Sequence, residues 1–385
     1  MGSTKPKLLV DLIVGARPNF VKVAPVHRAL RTLGDWLQVR LVHTGQHYDT
    51  NMSDVFFAEL GIPEPDIFLG VGSGSHGAQT GAIINHYEEI LLATKPALTL
   101  VFGDVNSTMA CAIAAVKLGV PIGHVEAGLR SFDRTMPEEI NRVVTDHLAD
   151  LLFTPSADAN VNLEHEGISS ERIHLVGNVM IDTLLASRDK IRAAPVLSRL
   201  GITLRHYVLL TLHRPSNVDS DDSLGRVLLA LESVQRRIPV VFPIHPRTRQ
   251  RLESGNLRTL VGRLKNVRIL DPQPYCDFLR LMSDAAFVIT DSGGVQEETT
   301  CLGVPCLTVR PNTERPITVQ EGTSILVGND TDAIVRESER ILDGKPKVGR
   351  VPDLWDGHAA PRIGAIIEAY LKPKRAVCGR TTHGF

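Results

Sequence analysis

The chain has 385 residues, of which 43% are hydrophobic and 22% charged, and its formal net charge is −1. The length favours about two domains, and the balanced charge excludes the broad basic surface with which proteins bind nucleic acids or anionic membranes. No apolar run is long enough to span a membrane, and Asp11 interrupts the first run, so the sequence predicts neither a transmembrane helix nor a signal peptide and favours a cytoplasmic protein.

Strand-like and helix-like segments alternate in the first half of the chain. Strands are predicted at residues 8–15, 39–45, 98–103, 121–128, 151–155 and 172–178. Helices are predicted at residues 19–34 and 137–152, and the second begins with a proline, which suits the first helical position. Continuous apolar strands that alternate with helices are typical of a parallel sheet covered on both faces.

The second half repeats this alternation. Strands with polar exits are predicted at residues 207–214, 239–246, 267–274, 285–294 and 304–311. We therefore predict an α/β fold of two Rossmann-like, doubly wound parallel-sheet domains facing a central cleft. The first domain is expected at residues 1–178 and the second at residues 179–360, with a C-terminal helix at 361–371 that packs back on the first.

Acidic residues stand where two successive strands end. Asp104 and Glu126 follow apolar runs, and Glu138 and Glu139 begin the next helix. Carboxylates that converge on one site shift one another's pKa values apart, which suits acid–base catalysis. The alternative for Glu138 is a surface ion pair with Arg142, which lies one helical turn further on.

The segment TDSGGVQEETTCLGVP, residues 290–305, is typical of a strand, a glycine turn and a helix. Ser292, Gly293 and Gly294 would open this helix, where free backbone N–H groups and the helix dipole bind a phosphate or diphosphate. The alternative is an ordinary turn in which the serine caps the helix.

Charged residues lie near both this turn and the turn after the first strand. One of Glu297 and Glu298 is expected to accept hydrogen bonds from ribose hydroxyl groups, unless the two only reflect the acidic bias of a first helical turn. Arg17 offers a fork of donors to a diphosphate. Lys22 is a second candidate cation, and a solvated helix residue is its alternative.

Cofactor and metal motifs are absent or stand in the wrong context. Gly72, Gly74 and Gly77 match the G-x-G-x-x-G spacing, but the run does not close the first strand of a domain, so it predicts a flexible loop at 69–77 and no nicotinamide cofactor. His43 and His47 flank a strand exit, which predicts no zinc site. Five cysteines without a C-x-x-C pair favour reduced, buried thiols.

A set of motifs together resembles the non-hydrolysing UDP-N-acetylglucosamine 2-epimerases. They extend from about residue 8 to residue 371 and read GARPNFVKVAPV, TGQHYD, FGDVNST, GHVEAGLRSFDRTMPEEINR, TLHRPSN, PIHPR, DPQPYCDFLRLM, TDSGGVQEE and RPNTERPIT. The resemblance implies a GT-B fold, a homodimer and the interconversion of UDP-GlcNAc and UDP-ManNAc without a cofactor or metal. It also implies anti elimination of UDP to a 2-acetamidoglucal, followed by re-addition of UDP with the opposite configuration at C2.

The resemblance assigns roles to individual residues of this chain. Asp104, Glu126 and Glu138 match the acid–base positions, and His213 is expected near the diphosphate and the sugar. Contacts with the UDP-sugar are implied for Arg17, Lys22, His245, Ser292, Gly293, Gly294, Glu298 and Arg315.

Further positions match less central parts of the family pattern. Gln273 and Phe278 match the stretch beside the uracil, with ordinary core packing as the alternative for Phe278. Gln46 and His47 lie where bacterial members bind a second, activating UDP-GlcNAc, but the loop RSFDRTMPEE is shorter here. Asn19 stands where many bacterial members have an acid.

Other functions remain as alternatives. The RSFDR form also occurs in relatives that act on UDP-2,3-diacetamido uronic acids, so a related UDP-sugar is an alternative substrate. A hydrolysing epimerase would release free ManNAc, and a GT-B glycosyltransferase would need an acceptor. A nucleotide-sugar-binding module without catalysis is disfavoured by the set of carboxylates.

Overall fold

The computed structural model describes residues 7–45, 59–253 and 257–378, except for the side chains of residues 17, 18 and 374–378. It divides into two compact units. One is formed by Met1–Leu185 together with Asp353–Phe385, and the other by Ala186–Pro352. Each unit contains one parallel sheet with helices in the connections between its strands.

Seven parallel strands form the sheet of the first unit. They are β1 Leu8–Val14, β2 Leu37–His43, β3 Ile67–Phe68, β4 Leu98–Phe102, β5 Ile122–Val125, β6 Leu151–Thr154 and β7 Ile173–Leu175. Their order is β3-β2-β1-β4-β5-β6-β7. The strands that follow β1 are added first on one side of it, as β2 and β3, and then on the other, from β4 to β7, so the strand order reverses beside β1. Ligands of such sheets bind at this switch point, outside the carboxyl ends of the strands.

Among the described residues up to 186, six α-helices accompany these strands. They are α1 Arg17–Arg31, α2 His76–Thr94, α3 Asn106–Lys117, α4 Pro137–Leu148, α5 Ala157–His165 and α6 Val179–Ala186. Helices cover the sheet, so β4 is buried at all five positions. Helix α2 buries Ile83, Tyr87 and Leu91, which the four-residue spacing places on one helical face.

The second unit repeats this design with six parallel strands. They are β8 Val208–Thr211, β9 Val240–Pro243, β10 Val267–Leu270, β11 Phe287–Thr290, β12 Cys306–Thr308 and β13 Ser324–Leu326. Their order, β10-β9-β8-β11-β12-β13, reverses beside β8 in the same manner. The switch point of this unit therefore lies between β8 and β11.

Ten α-helices are described in this second half of the fold. They are α7 Arg188–Ala193, α8 Val196–Leu200, α9 Pro215–Val218, α10 Asp221–Val234, α11 Pro246–Glu253, α12 Arg258–Arg263, α13 Tyr275–Ser283, α14 Gly293–Leu302, α15 Pro316–Gln320 and α16 Thr331–Leu342. The core joins Phe242 and Phe287 of the sheet to Leu228 and Leu231 of α10.

The end of the chain returns to the first unit. Trp355 donates its indole N–H to the carbonyl of Pro155 at 2.9 Å. The last helix, α17 Ala359–Cys378, begins where the Asp182 carboxylate accepts the N–H groups of Ala359 and Ala360, at 3.1 and 2.7 Å. The helix expected at 361–371 thus begins two residues earlier and belongs to the first unit.

The structure corrects several details of the predicted elements. The predicted strands are present, and all except β2 are shorter, because the predicted runs include the polar exits. β2 has the predicted length but begins and ends two residues earlier. The short strands β3 and β13 were not predicted, since two or three residues carry little apolar pattern. The predicted loop at 69–77 is interrupted at Ser75, which caps α2. The helix predicted to extend to residue 152 ends at Leu148, because β6 follows directly.

The described residues also bear on two compositional expectations. No helix among them combines the length and the apolar character needed to cross a membrane. Cys111 and Cys306 are buried, as predicted, whereas Cys276 and Cys301 are partly exposed.

Candidate active site

Asp104 and Glu126 stand at the ends of neighbouring strands. β4 and β5 are paired in parallel, with Phe102 opposite Val125. Asp104 follows Phe102 by two residues and Glu126 follows Val125 directly. The two acids therefore lie at the carboxyl edge of the first sheet, beside its switch point, as the sequence predicts.

Glu126 forms a buried ion pair with Lys22 of α1. Glu126 is 8% exposed and Lys22 is 5% exposed, so the alternative in which Lys22 is a solvated helix residue is wrong. Gly103 lies against this pair, and a Cβ atom on it would lie 2.8 Å from Lys22 Nζ and 3.9 Å from Glu126 Oε2. A side chain at residue 103 would require the Lys22 ammonium group to shift.

The backbone of Glu126 is in the left-handed region, with φ of 75°. This conformation costs a residue with a side chain about 1–2 kcal/mol. Two hydrogen bonds hold it, since the N–H groups of Glu126 and Ala127 both donate to the Phe153 carbonyl, at 3.0 and 3.1 Å. Strained backbone conformations cluster at functional sites, so the strain at Glu126 supports a functional role for the orientation of its carboxylate.

Asp104 is held by residues of α4. Arg142 pairs with Asp104 and with the buried Glu139, and Asn141 donates to the backbone carbonyl of Asp104 at 2.9 Å. Glu138 is exposed, and the partners of Arg142 are Asp104 and Glu139, so the alternative ion pair between Glu138 and Arg142 is wrong. Glu139, for which no partner was predicted, stands three residues before Arg142, and that spacing was the available signal.

Glu139 also orders the loop that leads into α4. Its carboxylate accepts the N–H of Ser131 at 3.0 Å, the hydroxyl of Ser131 at 2.9 Å and the N–H of Phe132 at 2.9 Å. Phe132 has a φ of 58° and is 77% exposed. The loop after Glu126 is therefore connected to Asp104 through Glu139 and Arg142.

Asn19 organises the turn after β1. Its side-chain oxygen accepts the N–H groups of Gly15 and Ala16, both at 3.1 Å, and its amide donates to the Phe102 carbonyl at 2.8 Å. The amide thus links the exit of β1 to the exit of β4, through a bond that an ionised carboxylate at this position could not donate.

Three predicted residues fall partly or wholly outside the described structure. Gln46 and His47, the candidates for a second nucleotide-sugar site, lie outside the described residues. Arg17 is the first residue of α1, and its side chain is not described.

His213 stands at the matching switch point of the second unit. β8 and β11 are neighbours, and Asp291 after β11 lies with its Oδ1 2.9 Å from His213 Nδ1. The Asp291 carboxylate also accepts the backbone N–H of His213 and of Arg214. Burial by itself would raise the pKa of Asp291, but the hydrogen bond and charge of His213 lower it below its usual value.

The Asp291 carboxylate orients the imidazole of His213. An ionised carboxylate can only accept, so Nδ1 carries the proton that it donates, and Nε2 is left to meet a ligand. The His213 side chain is 43% exposed. His245, exposed at the start of α11, lies nearby, with ring centroids 6.2 Å apart. The structure therefore brings the two predicted histidines together.

Ser292, Gly293 and Gly294 open α14, as predicted. Ser292 is the N-cap residue, but its side chain makes no capping hydrogen bond, which counts against the alternative of an ordinary serine-capped turn. A Cβ atom on Gly293 would lie 2.8 Å from Arg315 Cζ and 2.9 Å from Glu314 Oε1. The guanidinium of Arg315 therefore lies directly against the helix N-terminus.

A charged network surrounds this helix N-terminus. Arg214, Arg310 and Arg315 all pair with the buried Glu314, and Arg315 Nε lies 2.9 Å from Glu297 Oε1. Burial alone would raise the pKa of Glu314, but the three arginines lower it well below its usual value. The helix dipole and the guanidinium of Arg315, which lies against the N-terminus, suit an anion at this point.

Glu298 is a buried acid whose pKa is raised above its usual value. Burial, with a smaller effect of the Glu297 charge, raises the pKa of Glu298 to about 8, so its carboxyl group is mostly protonated at neutral pH in the folded protein. A neutral carboxyl group beside a diphosphate is not repelled by it, and it can donate or accept a hydrogen bond. This removes the electrostatic objection to placing Glu298 next to a nucleotide.

This protonation makes a testable prediction for Glu298→Gln. Between the ordinary pKa of 4.5 and the raised pKa of about 8, the folded parent binds a proton that the unfolded chain has released. The stability of the parent therefore falls as pH rises through this window, by up to about 1.4 kcal/mol per pH unit. Glutamine does not titrate, so the stability of the variant relative to the parent should increase from pH 5 to pH 8.

Urea unfolding of both proteins at pH 5, 6, 7 and 8 measures this difference. Glu88→Gln, at an exposed position of α2, is the control and should follow the parent at every pH. A stability difference between parent and Glu298→Gln that does not change with pH would contradict the raised pKa.

The two residues predicted beside the uracil lie near each other in the second unit. Gln273 accepts a hydrogen bond from Arg199 at 3.0 Å and donates to the Asp271 carbonyl at 2.8 Å. Phe278 lies on α13 and is only partly buried. The alternative of ordinary core packing therefore does not fully account for it.

Metal ligands are not gathered at these sites. Among the residues that the structure describes, no group of three or more histidine, cysteine or acidic side chains could hold a metal ion. His43 is buried and stacked between Phe20 and Phe68, and burial lowers its pKa to about 4. A neutral, packed imidazole at His43 is a structural feature of the first unit.

Comparison with known proteins gives consistent matches. The family model described as UDP-N-acetylglucosamine 2-epimerase matches residues 29–368. The UDP-N-acetylglucosamine 2-epimerase of Methanococcus maripaludis is 43% identical over 373 residues, covering 94% of this chain and 99% of the relative. The UDP-2,3-diacetamido-2,3-dideoxy-D-glucuronate 2-epimerase of Pseudomonas aeruginosa is 43% identical over 362 residues, covering 92% and 98%.

A solved structure agrees with these matches. The crystal structure of Methanocaldococcus jannaschii UDP-GlcNAc 2-epimerase in complex with UDP-GlcNAc and UDP has a TM-score of 0.87 and 40% identity, covering 94% of this chain and all of the other. The predicted fold class, two Rossmann-like domains of the GT-B type, is confirmed, as is the family resemblance. The chain belongs to the UDP-N-acetylglucosamine 2-epimerase family.

Proposed function

We propose that this enzyme interconverts UDP-GlcNAc and UDP-ManNAc by eliminating UDP and adding it back. The observation that carries the proposal is the pair of carboxylates, Asp104 and Glu126, at neighbouring strand exits of the first unit. The second unit supplies a positively charged helix N-terminus and an oriented histidine. A reaction that moves a proton at C2 and releases a diphosphate at C1 needs both kinds of group.

The C2 proton of the sugar has no neighbouring carbonyl to make it acidic. Its removal is possible when the C1–O bond to UDP breaks and positive charge develops at C1. One carboxylate then takes the C2 proton, and the electron pair of the C–H bond forms the C1–C2 double bond of 2-acetamidoglucal while UDP leaves. Re-addition of UDP at C1, with protonation of C2 on the other face, gives the epimer.

We assign these tasks to individual residues, and their contacts support the assignment. Asp104, Glu126 and the exposed Glu138 are the candidates for the proton transfers. Lys22 holds the Glu126 side chain through the buried ion pair. Arg142 holds Asp104 in the same way, so both carboxylates are oriented by cations before substrate binds.

The departing diphosphate needs donors that are already in place. The free N–H groups after Ser292 and the guanidinium of Arg315 meet this requirement at the start of α14. We assign the Nε2 face of His213 to the diphosphate and sugar, and neutral Glu298 to the ribose. We also assign Gln273 and Phe278 to the uracil. The homodimer is a separate prediction, which rests on the family resemblance.

A second substrate is favoured by a specific relative. The Pseudomonas aeruginosa enzyme named for UDP-2,3-diacetamido-2,3-dideoxy-D-glucuronate is as similar to this chain, at 43% identity, as the Methanococcus maripaludis enzyme named for UDP-GlcNAc. The alternative proposal is therefore the same reaction on that diacetamido uronic acid.

Incubation in heavy water with UDP-GlcNAc alone tests the proposal. We expect the anomeric signals of UDP-ManNAc to appear in the proton spectrum and deuterium to occupy C2 of the product, because C2 loses its proton and gains one from solvent. The same experiment with the diacetamido uronic acid substrate identifies the preferred sugar by the ratio of the two kcat/KM values.

Each other outcome points to a different activity. Free ManNAc would indicate a hydrolysing epimerase, and turnover only with an added acceptor would indicate a glycosyltransferase. Epimerised product that fully retains protium at C2 would overturn the elimination route.

A further inference from the structure

His124 is a buried histidine that the proposed reaction does not use directly. It lies on β5 and is fully buried. Its Nδ1 is 2.6 Å from Asp146 Oδ1 of α4, and its Nε2 is 2.8 Å from the Gly103 carbonyl. The ring therefore spans from α4 to the residue that precedes Asp104.

Both partners of this ring are hydrogen-bond acceptors. The Gly103 carbonyl can only accept. Burial would raise the pKa of Asp146, but the charges and hydrogen bonds of His124 and Arg130 lower it, so the carboxylate accepts as well. Both ring nitrogens therefore face hydrogen-bond acceptors, and the ring connects the exit of β4 to Asp146.

Asp146 carries the connection on to the exit of β5. Its Oδ2 accepts the backbone N–H of Gly128 at 3.1 Å and Arg130 Nη1 at 2.7 Å. Arg130 is itself braced by Glu166, at 2.7 and 2.8 Å. One buried carboxylate thus holds the segment that follows Glu126 and, through His124, the segment that contains Asp104.

The backbone at these points needs such support. Gly103, Glu126 and Gly128 all have left-handed conformations, with φ of 64°, 75° and 81°. Each of the two strand exits turns sharply just where its carboxylate is placed. We propose that His124 and Asp146 are positioning residues that fix Asp104 and Glu126 relative to each other, an inference that rests on the proposed function of these two carboxylates.

Two substitutions of His124 separate its two hydrogen bonds. The amide nitrogen of asparagine can take the place of Nδ1, so His124→Asn retains the bond to Asp146 and loses the bond to Gly103. The amide nitrogen of glutamine can take the place of Nε2, so His124→Gln retains the bond to Gly103. We expect His124→Asn to lower kcat by about 10²-fold, as a misplaced catalytic group does, with KM changed little. The kcat of His124→Gln should be at least about ten-fold higher than that of His124→Asn.

Asp146→Asn provides a second test at the centre of the connection. It retains the volume of the side chain but presents an amide N–H₂ group towards neighbouring donors, so kcat should fall by a similar factor. Asp11→Asn is the matched control: Asp11 is also fully buried in the first unit and is paired with Arg40, but it touches neither strand exit. The control should unfold at a lower temperature while its kcat, per folded molecule, stays at the parent value.

Amide hydrogen exchange supplies a readout that does not depend on activity. Faster exchange in the peptides that contain residues 103–104 and 126–128 is expected for His124→Asn and Asp146→Asn, and not for Asp11→Asn. If the parent produces no epimer, the proposed function fails, and this exchange result still decides whether the two residues hold the strand exits.

Several outcomes would overturn the positioning role. One is unchanged exchange in these peptides. Another is equal kcat for the Asn and Gln variants of His124. A third is a loss of kcat in Asp11→Asn as large as in Asp146→Asn, which would show that any buried defect has the same effect.

Discussion

Asp104→Asn and Glu126→Gln are each expected to lower the turnover of UDP-GlcNAc by about 10²–10⁴-fold, or roughly 3–5 kcal/mol of barrier. Each substitution retains the shape of the side chain and removes its capacity to take a proton. Binding of UDP should be retained, since the start of α14, Arg315 and His213, to which the diphosphate is assigned, belong to the second unit. Steady-state NMR assays for turnover and calorimetric titration with UDP measure the two effects separately.

Glu138→Gln extends this comparison to the third candidate. Glu138 is exposed and is not the partner of Arg142, so a loss of turnover would indicate a direct role in proton transfer. Glu88→Gln on α2 is the control and should turn over at the parent rate. If Asp104→Asn and Glu126→Gln are both near the parent rate, the mechanism proposed here is wrong. If only Glu138→Gln is near the parent rate, the acid–base work belongs to the other two carboxylates.

Lys22→Met and Glu126→Gln are expected to have the largest effects on stability. Lys22 and Glu126 form an ion pair in which both side chains are about 95% buried, with 6% and 5% exposed. Removing one partner leaves an uncompensated buried charge, which costs about 3–5 kcal/mol. The double variant removes both charges, so its loss in free energy of unfolding should be smaller than the sum of the two single losses.

A double-mutant cycle by urea unfolding measures this coupling. The exposed pair of Asp222 and Arg226, with side chains 73% and 54% exposed, is the control. Its cycle Asp222→Asn and Arg226→Met should give a coupling of only about 0–1 kcal/mol. Additive losses in the Lys22 and Glu126 cycle would show that the two charges do not depend on each other in the folded protein.

The amino-acid sequence by itself determined the two parallel sheets and the edge at which the candidate residues stand. Apolar runs with polar exits indicate buried parallel strands, and the carboxyl ends of such strands meet at one edge. The positions of Asp104, Glu126, His213 and Ser292 could therefore be predicted without coordinates. These are local properties, in which a residue's place depends on a few neighbours along the chain.

Only the tertiary structure decided which of these residues interact. The bond from Arg142 to Asp104 spans 38 residues of sequence, and that from His124 to Gly103 spans 21. Sequence spacing offered Arg142 a partner one turn away in Glu138, but the fold placed its guanidinium against Asp104 at the exit of β4 and against Glu139. Contacts between residues so far apart in the sequence depend on strand order and helix packing. A pattern of neighbouring residues contains no information on either.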